Sequence, residues 1–200
     1  MARVKWGWMI SSVVFFAVFV ALTVFAQQAT KVIRYTPNTQ AKGMREGKCW
    51  TSSIAISRPD AYRCMIGNEI VDPCFASADK RYAVCNPNPA KGDPGFSLKL
   101  TEPLPKPDVL AQSTAKDSGW LVELGDGTIC RPSTGASFQV EGKTASYYCE
   151  GHEKGKETVL LDGLNAKKSL WTAEKATIMY DRAGPKLIKS DVVPVKTVWQ

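Results

Sequence analysis

Hydrophobic and polar positions fall into three regimes along the 200 residues. The first is unbroken. No charged residue occurs from Trp6 to Ala26, the stretch from Val13 to Leu22 is its most apolar part, and Arg3 and Lys5 precede it. Charge followed by an apolar run is the order of an export signal. Val24-Phe25-Ala26 places small residues at the −3 and −1 positions of a cleavage before Gln27. The same run reaches the roughly 20 residues that span a bilayer as a helix. A cleaved signal peptide and an uncleaved N-terminal apolar helix therefore both remain open. Either one puts residues 27–200 outside the cytoplasm, because basic residues before the run stay inside.

The second regime, residues 27–47, is polar and without period, which predicts a linker. The third is a series of short alternating runs broken by turn residues. In 48–86, "CWTSSIAI", "EIV" and "YAVC" predict strands, and Gly67-Asn68 and Asp72-Pro73 predict turns. "SRPDAYRCM" carries helix-start chemistry: Ser57 to cap, Pro59 in the first turn, and Asp60 at the positive end of the dipole. Residues 87–118 form a Pro-rich connection in which "FSLKL" predicts an edge strand. Residues 119–200 predict a β-meander. Asp126-Gly127 and Glu141-Gly142 serve as hairpin turns, and the tail "DVVPVKTVWQ" closes a sheet with Pro194 at an edge or bulge. The expected architecture is mainly β: an antiparallel meander, sandwich or barrel with one or two short helices. The meander lobe packs with 48–86 as one domain.

Cysteine usage adds a covalent frame. Cys49, Cys64, Cys74, Cys85, Cys130 and Cys149 all follow the apolar run. An even set of this kind reads as disulfides in an oxidising compartment. Six cysteines allow 15 pairings. Spacing favours neighbours, Cys49–Cys64, Cys74–Cys85 and Cys130–Cys149, without excluding the rest.

Charge changes the picture little. The chain carries +7 formally, and basic and acidic residues are scattered. With no basic run and no aromatic-basic interleaving, no nucleic-acid partner is expected.

Candidate chemistry is thin. The single histidine, His152, lies in "CEGHEKGKE" with no G-x-S-x-G elbow. Cys149-x-x-His152 is half of a zinc spacing and lacks two further ligands. Ser77–Lys80 and Ser113–Lys116 match S-x-x-K without the partner motifs of that chemistry. Asp60, Asp72, Asp126 and Asp162 sit by Pro or Gly, where turn and cap duty accounts for them. No catalytic residue, metal or cofactor is expected. Arg58, Tyr62 and Arg63 remain as a possible recognition surface, and Trp50 beside Cys49 is expected to pack in the core.

The pattern C-W-T-x-S … R-P-D-A-Y-R-C-M-x-G-N-x-I-x-D-P-C-F, then D-G-T-x-C, Y-Y-C and L-x-G-L … W-T, resembles uncharacterised exported bacterial proteins. The resemblance spans residues 48 to about 180. It implies export, a disulfide-rich β domain and a bacterial source, and it carries no activity. The expected function is non-enzymatic binding at the cell envelope, secreted or membrane-tethered, to another protein or an envelope polymer. The alternatives are a cell-envelope hydrolase and an accessory subunit of a membrane complex.

Overall fold

Alternating runs become strands wherever a neighbour covers their apolar side, and here two rings of strands do so. The computed structural model describes residues 28–37, 42–107, 118–151 and 153–200. The expected N-terminal apolar helix lies outside them. The first ring contains β2 (Met44–Ser52), β3 (Ala61–Ile66), β4 (Glu69–Ala76), β5 (Tyr82–Cys85) and β6 (Phe96–Leu100). Each pairs antiparallel with the next, and a parallel β2–β6 ladder closes the barrel. "FSLKL" is thus the closing strand and not an edge.

The second ring contains β7 (Leu121–Leu124), β8 (Ile129–Pro132), β10 (Lys143–Cys149), β11 (Lys156–Asn165), β12 (Thr172–Asp181) and β13 (Gly184–Trp199). Pairing of β13 with β7 completes it, and Pro194 sits where β13 passes from β12 to β7. The short β9 (Gln139–Val140) joins β10 through the expected Glu141-Gly142 turn, in which both residues have positive φ. β1 (Lys31–Ile33) pairs parallel with the end of β13. The expected polar linker over 27–47 is therefore corrected at both ends. Residues 31–33 belong to the second ring, and Met44 already starts β2.

All three disulfides link residues directly opposite each other on paired strands: Cys49–Cys64, Cys74–Cys85 and Cys130–Cys149. This is the neighbour pairing that the spacing favours. The first two fill the first barrel together with Tyr62, Val71, Ala83 and Leu98. The third lies among Val122, Leu124, Leu160 and Val195 in the second.

Three local expectations are overturned. Residues 61–66, read as the body of a helical turn, are β3. Pairing on both sides and the inward Cys64 outweigh the cap signals, and the only helical element among the described residues is the 3₁₀ turn Pro89–Lys91. Asp72-Pro73 is a kink inside β4, where β4 carries one residue more than β3 opposite. Trp50 is 41% exposed, because it is the extra residue that β2 carries beside Cys49–Cys64.

The two rings meet in an apolar joint. Tyr35, Phe75 and Trp120 contact one another with ring centroids 4.9 to 5.2 Å apart, and Ile56, Leu121 and Trp199 pack round them. These rings come from the segment after β1, from β4 and from the residue before β7, so the joint ties three separate stretches of chain.

Candidate functional site

The fold sends Arg58, Tyr62 and Arg63 to three different places. Arg58 is buried in the joint. Its guanidinium donates to both Asp60 carboxylate oxygens, to the Tyr35 carbonyl at 2.8 Å and to the Gln200 carbonyl at 2.9 Å, and it lies 4.9 Å over the Phe75 ring. With Nε, Nη1 and Nη2 all donating internally, it is a latch and not a recognition residue. Neighbours in a strand point to opposite faces. Tyr62 points inward with Cys64, and Arg63 points outward beneath the exposed Trp50 indole, 5.8 Å from its centroid.

Of the three, Tyr62 lines a groove. This groove, of about 1040 Å³, lies against the first barrel. Tyr62, Tyr82, Met44 and Val84 give it apolar walls, Asp60 and Ser97 give it polar points, and Thr36 and Pro37 border it. Local chemistry holds the walls. The Tyr62 hydroxyl donates to the Pro59 carbonyl at 3.2 Å. Burial, with a smaller push from the Asp60 charge, raises the Tyr62 phenol above its ordinary range, so it stays a neutral donor.

The rim is the β4–β5 turn, where one of the S-x-x-K matches lies. Ser77 Oγ sits 2.7 Å from Asp79 Oδ1 and 2.8 Å from the Tyr82 carbonyl, and it accepts the Tyr82 N–H at 3.2 Å. Hydrogen bonds from the Ser77 hydroxyl and then from the Arg81 N–H and guanidinium hold the Asp79 carboxyl at about 2. Ser77 is thus occupied in shaping a turn. Lys80, at φ 56°, follows it in that turn and not one helical turn along, so the geometry by which a lysine activates a serine is absent here. Ser113, Lys116 and His152 lie outside the described residues.

The other carboxylates have local duties. Asp72 accepts from the Ser53 hydroxyl and, at 3.1 Å, from the Ile54 N–H, which fixes the loop after β2. Burial dominates these bonds and raises its carboxyl. Burial also raises Asp126, yet the Lys175 ammonium at 2.6 Å and the Thr128 N–H at 2.9 Å outweigh it and hold the carboxyl at about 2. Asp162 caps the Thr144 N–H from the β11 bulge. The Sγ atoms of Cys64, Cys74 and Cys85 lie within 4.8 Å of one another. All three are disulfide-bonded and offer no thiolate for a metal.

Sequence reasoning missed Tyr82, Met44 and Val84. Nothing local marks them, because the groove forms only where the β4–β5 turn, the start of β2 and residues 36–37 meet. No protein-family model, curated protein or solved structure matches the chain.

Proposed function

We propose that the chain is a non-enzymatic, extracytoplasmic binding module whose partner, a segment of another exported protein or an envelope polymer, lies in the first-barrel groove. The observation that carries this reading is the groove itself: two tyrosines and two aliphatic side chains around a few polar points on a covalently braced barrel. Ligand sites are commonly concave and apolar with a few convergent polar groups. Three disulfides and the apolar run that resembles an export segment support the compartment, with that run acting as signal or anchor. The occupied hydroxyl of Ser77 favours binding over hydrolysis.

Titration of the chain with solubilised envelope polymer and with extended peptides from exported proteins, followed by tyrosine-sensitive fluorescence and calorimetry, tests it. A saturable response should vanish in Tyr82→Ala and in Met44→Ser and persist in Trp50→Ala, whose side chain is on another face. Turnover of the polymer, or a response indifferent to the groove substitutions, would remove the reading.

A further inference from the structure

The point at which the chain enters the fold is fixed by three hydrogen bonds. Thr30 N–H donates to the Ser169 carbonyl at 2.9 Å, Thr30 Oγ1 donates to the Val195 carbonyl at 2.7 Å, and Trp171 N–H donates to Thr30 Oγ1 at 2.7 Å. The apolar run of the sequence ends at Ala26, only four residues earlier. Four extended residues reach about 13 Å, so no stalk separates the second ring from whatever holds that run.

The surface around this entry is basic and apolar together. Lys31 adjoins Thr30, and Lys167 and Lys168 lead directly into Ser169. All three are exposed, and none joins an ion pair among the described residues. Two carboxylates on the strands beside them are taken: Glu174 pairs with Lys143 and Asp191 with Lys189. Val192, opposite Glu174 on β13, is 73% exposed, and Val32 is 46% exposed. Leu170 and Trp171, next to Ser169, are half-buried. Unpaired lysines beside exposed aliphatic side chains and a half-buried indole are what an anionic bilayer surface attracts.

We infer that this face docks the second ring onto a bilayer of acidic phospholipid. Lys31, Lys167 and Lys168 meet the headgroups, and Val192 touches the interface. The first barrel lies across the apolar joint, which is built at the far end of β1 from Thr30. The inference is independent of what fills the groove.

The full chain, apolar run included, is placed in bilayer discs of phosphatidylcholine alone and of phosphatidylcholine with phosphatidylglycerol. Amide hydrogen exchange is followed over residues 165–171 and 30–33. Exchange there should slow in the acidic discs relative to the neutral ones and recover in molar salt. Each lysine near such a surface contributes about fivefold to binding, so Lys168→Gln should weaken the slowing by about that factor. Lys31→Glu/Lys167→Glu/Lys168→Glu should abolish it with the thermal unfolding curve unchanged. If the triple variant fails to fold, the salt titration of the unaltered chain decides. Equal exchange in the two discs, slowing that molar salt or the triple reversal leaves intact, or protection caused by a second copy of the chain would overturn the inference.

Discussion

Arg58, in the loop before β3, donates its Nη1 proton to the backbone carbonyl of Gln200, 142 residues further along the chain, at 2.9 Å. The same guanidinium reaches Tyr35 and Asp60, so one side chain joins the first barrel, the segment after β1 and the end of β13. A bound arginine fork of this kind fixes orientation as well as distance.

Arg58→Ala should destabilise the chain by about 3 kcal/mol, since it strands the Asp60 carboxylate and two carbonyls at the joint. Arg58→Lys should recover only a part, because a point charge cannot serve three directions. Chemical denaturation measures both. A loss no larger than the ~1 kcal/mol of an exposed ion pair would refute the latch.

Trp120→Ala should cost about 3–5 kcal/mol. It removes a fully buried indole from the contact with Tyr35 and Phe75. Because that contact couples the rings, calorimetry should resolve two transitions in the variant and one in the parent. A single, merely shifted transition would show that other contacts carry the coupling.

Replacing both Cys130 and Cys149 by Ala frees a loop closed across 19 residues. Chain entropy alone puts the loss at about 3 kcal/mol. Non-reducing peptide maps of the parent should show the three neighbour pairs and no free thiol. Any crossed pair would contradict the strand register.

Two carboxyls should titrate in opposite directions. Asp126 is held at about 2, below the ~3.9 of an unfolded aspartate. Its contribution to stability is present above that unfolded value and lost as pH falls towards 2. Asp72 is raised, so folding favours its protonated form. Its contribution is present below the unfolded value and lost as pH rises through the folded one. Carbon-detected NMR titration separates them, and the reverse order would refute both assignments.

Gly47→Ala should cost about 3 kcal/mol through overpacking. A Cβ there would collide with the Met65 carbonyl and crowd Leu98. Gly47 is where β2 leaves β6 and meets β3, so the barrel seam has no room for a side chain. Normal stability by urea unfolding would mean that the seam can open.

The strands of the second ring were largely legible, because its hairpins announce themselves locally: Glu141-Gly142 turns β9 into β10, and "TVLLDGL" and "LWTAEKATIMY" are long runs rich in apolar and β-branched residues. Residues 57–65 misled because Ser57, Pro59 and Asp60 are sound cap residues. Their jobs here are set by tertiary partners, with Asp60 serving Arg58 and the Pro59 carbonyl serving Tyr62. Trp50 misled because adjacency to Cys49 does not reveal that β2 bulges there. The disulfide frame was readable because neighbours in sequence are also neighbours across a ladder. The groove was not, since Met44, Tyr62 and Tyr82 come from three strands whose meeting depends on how the barrel closes.

The pairing of β1 with β13 carries a consequence in time. Thr30 and Val195 are bonded across 165 residues, and β13 also holds β12 and β7. The five strands of the first barrel are contiguous in sequence, and two disulfides can brace them early. The second ring has no such order of assembly: its earliest strand waits, unpaired, for its latest. A chain threaded across a membrane would therefore carry a finished first barrel beside an open set of strands until β13 had crossed, and it would be most exposed to proteases and chaperones in that interval.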